Sequence, residues 1–286
     1  MASTFSRHFA LAALPHSASR WSRAALRWMA SWWRLLQFGA VILVLALTPS
    51  SYARDNRAQF AHHIYRGTAP SLVWFTVLCA LGTLVITRIV VVTALSYGLS
   101  QYALQVVIRV LVLELIPMGA ALFVTLRCTL PSALQLALIH QTARQDTVSM
   151  EPPQGIGLLR VEVLPRVVAG MFASATLAAL SCVVALVLAY LAVYGFTSSA
   201  LPSYTRLFGQ VFNPAVTLIF LLKTLLLALA VSIIPMAAAL QDSGEVTHNP
   251  KTASGYSAAS AELRVLVRLF AVLLLIEAVC LVGNYY

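Results

Sequence analysis

The chain has 286 residues, of which 60% are hydrophobic and only 10% charged, with a mean hydropathy of +0.86 and a formal net charge of +10. Soluble domains carry about 25% charged residues, so this composition excludes a string of water-soluble domains. It requires apolar segments of about 20 residues, enough to cross a hydrocarbon core roughly 30 Å thick. The positive charge is almost all arginine, Lys223 and Lys251 being the only lysines. These arginines lie between apolar runs and not beside aromatic stacking residues on a polar domain, which argues against nucleic acid as a partner.

Residues 1–34 form a basic Arg/Trp-rich segment. Arg7, Arg20, Arg23, Arg27 and Arg34 interleave with Trp21, Trp28, Trp32 and Trp33, and the first acidic residue is Asp55. Indoles and guanidiniums both find partners in the headgroup zone; an organelle transit peptide has the same composition. Residues 35–69 follow as an interfacial helix and connector. Their apolar part, 35–47, is about half a span long and has three readings. It can lie along the membrane, it can span if Trp28–Ser31 are included and Arg34 snorkels, or it can be the apolar core of a signal peptide ending at Ser51-Tyr52-Ala53.

Five longer apolar segments come next, over about 70–95, 102–126, 167–194, 215–240 and 263–282. Each exceeds the 18-residue threshold for a spanning helix, and a single segment in lipid must satisfy its own backbone hydrogen bonds. The alternating pattern of a membrane barrel is absent. The expected fold class is therefore all-α: a polytopic integral membrane protein with five transmembrane helices over residues 70–286, preceded by an N-terminal interfacial amphipathic helix.

Arginine placement orients these spans. Arg54, Arg57 and Arg66 precede the first. Arg127, Arg144, Arg160 and Arg166 lie between the second and third, and the loop between the fourth and fifth holds Lys251 and leads to Arg264. The two remaining loops hold only Arg206. The positive-inside rule then puts the N-terminus in the cytoplasm and the C-terminus outside. A cleaved signal peptide would invert this and is rejected on that ground.

Charges within the apolar runs need a reason, since a central charge costs at least about 2.5–3.5 kcal/mol. Arg88, Arg109, Glu114, Lys223 and Glu277 are such residues. Arg109 and Glu114 are five apart on one helix, so Glu114 is expected to meet a cation from another helix. Each is an interhelical ion-pair or snorkelling residue, or part of a polar lining for a cavity, with Glu114, Lys223, Glu277 and Arg109 the candidates for the latter. Pro117 and Pro235 sit inside spans and should kink them. Gly170, Ser174, Ala178 and Cys182, at spacing four, form a small-residue stripe suited to close helix approach. Catalytic patterns are missing: there is no Gly-Lys dipeptide, hence no phosphate-binding loop, and no HExxH or GxSxG. The four separated cysteines read as apolar side chains. No cofactor, metal site or enzymatic activity is expected, and energised work would need an ATPase on another chain.

In order along residues 65–282, several short blocks resemble the MlaE-type permeases, membrane subunits of Mce-associated lipid ABC transporters. Glu114-Leu115-Ile116-Pro117 is similar to that family's E-L-G-P, with Arg127 following at the family's spacing. Pro165-Arg166-Val167-Val168-Ala169-Gly170 resembles its P-R-x-x-A-G. Leu221-Leu222-Lys223-Thr224 resembles its L-I-K-S, and Glu277 stands where it usually has aspartate. The family's ATPase-docking segment, roughly E-I-x-x-M-x-x-T-E-Q-I-D, falls on residues 135–146. There Thr142 and Asp146 match, while Gln135, Ala143 and Arg144 replace two glutamates and a glutamine, making this a divergent member; His140 lies in the same segment.

The resemblance implies a homodimer enclosing a lipid cavity in a bacterial inner membrane. It also implies a cytoplasmic ABC ATPase docked at Gln135, His140, Thr142, Arg144 and Asp146, and an MCE-domain protein on the outer face, beside the loop 195–214. Two rival functions are a non-transporting scaffold of the same fold, and a membrane-embedded lipid-modifying enzyme with converging carboxylates.

Overall fold

The computed structural model describes residues 14–48, 54–98, 100–146, 159–245 and 255–285, and among these there are helices and no strand. In chain order they are α1 (Leu14–Leu47), α2 (Arg54–Ser96), α3 (Ser100–Val107), α4 (Ile116–Val124), α5 (Leu130–Asp146), α6 (Leu164–Tyr194), α7 (Leu201–Val211), α8 (Pro214–Glu245) and α9 (Gly255–Tyr285). Helices α3, α4 and α5 are joined by wide π-type turns, Ile108–Leu115 and Thr125–Thr129, into one helical column. A third such turn, Leu159–Val163, leads into α6. Packing divides the chain into two units, Met1–Val44 and Leu45–Tyr286; the second holds every helix from α2 to α9.

Six helices among the described residues are long and apolar enough to cross a membrane: Met29–Leu47, Phe60–Ser96, Tyr102–Ile139, Leu159–Tyr194, Pro214–Leu240 and Glu262–Gly283. The chain is a multi-pass all-α membrane protein. The last five contain the five apolar segments of the sequence. The first extends the 35–47 stretch back through Arg34 to Met29, the length at which the spanning reading of it applies. Residues 1–13, the Ser51-Tyr52-Ala53 site and Lys251 lie outside the described residues.

Three of these helices outrun the bilayer. Phe60–Ser96, Tyr102–Ile139 and Leu159–Tyr194 have 37, 38 and 36 residues, about 55 Å each at 1.5 Å per residue, against roughly 30 Å of hydrocarbon. The excess lies largely at one end of the second unit, where Arg66, Arg127 and Arg166 cluster (the basic end). Hydropathy marks only the part of a helix that lipid covers, which is why α2 begins at Arg54 and not near residue 70.

α6 is the hub, packing along α2 and against α4 and α8. Its small residues make this possible: Gly170, Ser174, Ala178 and Cys182 of the stripe are buried, as are Ser181, Ala185 and Ala189. At Gly170 an added Cβ would lie 2.8 Å from both Ser232 Oγ and Thr129 Cγ2, so α8 and the second wide turn touch α6 at backbone distance. Three buried hydroxyls return to their own helices: Thr83 donates to the Cys79 carbonyl at 2.7 Å, Thr125 to Ala121 at 2.8 Å and Ser232 to Ala228 at 2.8 Å. That satisfies them without a partner helix.

The segment after α6 is a second short element rather than a plain loop. Gly195, at φ +64°, ends α6 in a conformation glycine tolerates best. Pro202 then opens α7 in its first turn. Tyr204 and Val211 are the buried face of α7. The Tyr204 ring meets Tyr190 edge-on at 5.1 Å and its hydroxyl donates to the Leu186 carbonyl at 2.9 Å. Tyr204→Phe is expected to lower stability by about 0.5–1.5 kcal/mol, the net worth of one such bond, read as a small fall in the unfolding midpoint in mild detergent. An unchanged midpoint would show the hydroxyl to be immaterial.

Candidate functional site

Three charged residues from three separate elements meet inside the second unit. Lys223 comes from α8, Glu114 from the first wide turn and Glu277 from α9. The Lys223 ammonium donates to Glu277 Oε1 at 2.7 Å, to a Glu114 carboxylate oxygen, and to the Leu113 carbonyl at 2.9 Å. An ammonium has three N–H donors, and all three are used. The lysine is 2% exposed, while the side chains of Glu114 and Glu277 are 18% and 15% exposed.

The backbone acceptor has a local cause. Pro117 carries no N–H, so it cannot bond the Leu113 carbonyl four residues before it. The proline thus leaves an acceptor that Lys223 takes. Ile116 donates instead to the Leu111 carbonyl, five residues back, so the chain accommodates Pro117 by widening the preceding turn. The Glu-Leu-Ile-Pro block and the residue before it therefore supply two of the three acceptors around the ammonium: one side-chain carboxylate and one main-chain carbonyl.

The triad sits toward the end of the unit opposite the basic end. Lys223 is nine residues into α8, about 14 Å from its start, and Glu277 is six residues before Gly283, about 9 Å. Two carboxylates to one ammonium leave one formal negative charge in excess, and Glu277 Oε2 has no hydrogen-bond partner among the described residues. The adjoining cavity, lined by Val216, Ile219, Phe220 and Cys280 with Leu113, Glu114 and Lys223, is only about 10 Å³, at the lower limit for one water. Within a single chain this is a packed site.

Of the four intramembrane candidates, the fold brings together Glu114, Lys223 and Glu277. Arg109 is half-buried in the same wide turn and forms no ion pair among the described residues. Glu114 does meet a cation from another helix, and Glu114 and Glu277 do converge, but on an ammonium. Among the described residues no group of three or more His, Cys, Asp or Glu could hold a metal ion. Sequence reasoning misses the Leu113 carbonyl, though Pro117 four residues on is the signal for it.

At the basic end, α5 carries the segment 135–146 as a direct continuation of the column. Gln135 is exposed and Leu136 beside it fully buried. His140, Thr142, Arg144 and Asp146 continue the helix, with the side chains of all four outside the described residues. Pro165 is buried in the first turn of α6, as Pro117 is in that of α4. Arg127, Arg166, Ala169 and Gly170 line a common cleft with Gln135.

Residues 60–282 match the family model described as Permease MlaE. No curated protein matches the chain.

Proposed function

The chain belongs to the MlaE permease family, and on that premise we propose that it is the membrane subunit of an ABC-type transporter moving phospholipid or a related apolar lipid. The observation that carries this is the meeting of Glu114, Lys223 and Glu277. Three of the sequence blocks that resemble the family each deliver one charged side chain to a single point in the membrane. Burying three charges is expensive, and a polar group at the wall of a lipid pathway is a reason for keeping them.

A lipid-sized cavity needs a second copy of the chain. One chain leaves about 10 Å³ beside the triad, and the exposed apolar residues Leu218, Leu221, Leu222 and Leu225 flank Lys223 along α8. We assign the basic end to the cytoplasmic side of a bacterial inner membrane, on the excess of arginine there. The end of α5 then faces a separate ATPase, and α7 lies on the outer face, beside an MCE-domain partner. With no phosphate-binding loop in its sequence, the chain draws its energy from that partner ATPase.

The test is purification with the neighbouring ATPase, followed by transfer of a fluorescent phospholipid between vesicles with and without ATP. Replacing Thr142, Arg144 and Asp146 together by alanine is expected to reduce ATP-driven transfer by about tenfold or more, the scale of losing an interface hot spot, with thermal stability retained. One specific observation favours a second reading, a non-transporting scaffold: Gln135, Ala143 and Arg144 stand where the family's docking segment has acids and an amide. Failure of any ATPase to co-purify, with transfer indifferent to ATP, would select the scaffold.

A further inference from the structure

The basic end contains a cleft that the triad does not involve. Its volume is about 240 Å³, and it is lined by His62, His63 and Arg66 of α2, Arg127 of the second wide turn, Gln135 of α5 and Arg166 of α6. Its lining holds three arginines and no acidic residue, a formal charge of +3 with the histidines neutral. Arg166 also donates to the Glu162 carbonyl at 2.7 Å, and its guanidinium lies 3.8 Å from the Glu162 carboxylate. Arg66 and Arg127 form no ion pair among the described residues.

The fold holds these cations together. Cys128 Sγ donates to the Gly67 carbonyl at 3.0 Å, which fixes the turn carrying Arg127 against the turn carrying Arg66. The Gly170 contact with Thr129 fixes the start of α6 against the same turn. Like charges repel, so three arginines held around one recess by close backbone packing are stabilised by an anion placed between them. Their depth is set as well. Arg66 precedes, Arg127 follows and Arg166 precedes the apolar runs of three successive spans, which puts the recess at headgroup level.

We propose that this cleft binds a phosphate group, that of an anionic lipid headgroup or a free phosphate anion. Arginine guanidiniums bind phosphate oxygens through paired N–H donors, and His62, His63 and Gln135 add donors to the lining. The site is separate from the proposed transport pathway, and its test reads binding alone, so it stands or falls independently of ATP-driven transfer.

The experiment titrates the full chain, in nonionic detergent at low salt, with dihexanoylphosphatidylglycerol, with inorganic phosphate and with dihexanoylglycerol, following heat. Binding of the phosphatidylglycerol but not the uncharged glyceride is expected, with affinity at least about tenfold weaker in Arg66→Gln/Arg127→Gln. Arg66→Lys/Arg127→Lys should recover part of the loss, since charge remains while the paired geometry is gone. Inorganic phosphate binding with the same loss in the variant supports the site and makes a free anion the ligand. Should the glutamine variant not fold, the salt dependence of the unmodified chain decides: affinity should fall steeply between low and physiological salt. Equal binding by the unmodified and glutamine forms, or affinity indifferent to salt, would each overturn the proposal.

Discussion

Replacing Lys223 with methionine is expected to destabilise the protein by about 3–5 kcal/mol, the penalty of removing one partner from a buried ionic group. The substitution leaves Glu114 and Glu277 facing each other without the ammonium that now bonds both, and strips the Leu113 carbonyl of its donor. An unfolding titration in mixed micelles should show the midpoint moving well down. Neutralising all three together, Glu114→Gln/Lys223→Met/Glu277→Gln, should recover much of that loss, because replacing a whole buried ionic group by neutral residues is often close to neutral. This triple variant separates architecture from function. It is expected to fold yet move lipid poorly; transfer at the unmodified rate would reduce the triad to a structural clamp.

At Gly170 the expected effect is smaller and opposite in origin. Alanine there places a methyl group 2.8 Å from both Ser232 Oγ and Thr129 Cγ2, with Ser232 fully buried and tied to the Ala228 carbonyl and Thr129 nearly so. Neither neighbour has room to turn away, so Gly170→Ala should lower stability by about 1–3 kcal/mol, the range for overpacking. Gly170→Leu should leave little folded protein in the membrane fraction. The contrast is Gly82 in α2, where an added Cβ meets nothing within 4 Å. Gly82→Ala should be neutral or gain about 0.5–1 kcal/mol from helix propensity. If the two alanine variants melt together, α6 does not depend on that close approach.

Hydropathy alone locates the five apolar segments from about 70 to 282, because lipid leaves the backbone no alternative to the helix. It does not locate the helix ends. Residues 54–69 carry the helix beyond the hydrocarbon on ordinary propensity, where charge and polarity look like a connector. The segment 195–214 looks like a loop, although Tyr204, Leu207, Phe208 and Val211 fall at the spacing of one helical face. Glu114, Lys223 and Glu277 are each visible as charges that an apolar run must explain. That they explain one another requires the fold, since 109 residues separate Lys223 from Glu114 and 54 separate it from Glu277. Arg66, Arg127 and Arg166 are legible in sequence only as markers of orientation or of a motif, because nothing in their spacing reveals that three span ends enclose one recess.

The column from Ser100 to Asp146 joins its far end to Glu114 in a single unbroken rod, with 32 residues and about 48 Å between Asp146 and Glu114. A load applied at the tip meets no slack linker that could absorb it. It must pass through the joint at Thr125–Thr129, where α6 is wedged at Gly170, and that wedge acts as a fulcrum. Were the rod to move as one piece, a small swing of its outer arm would be delivered to the ammonium it grips, about 14 Å inside the start of α8.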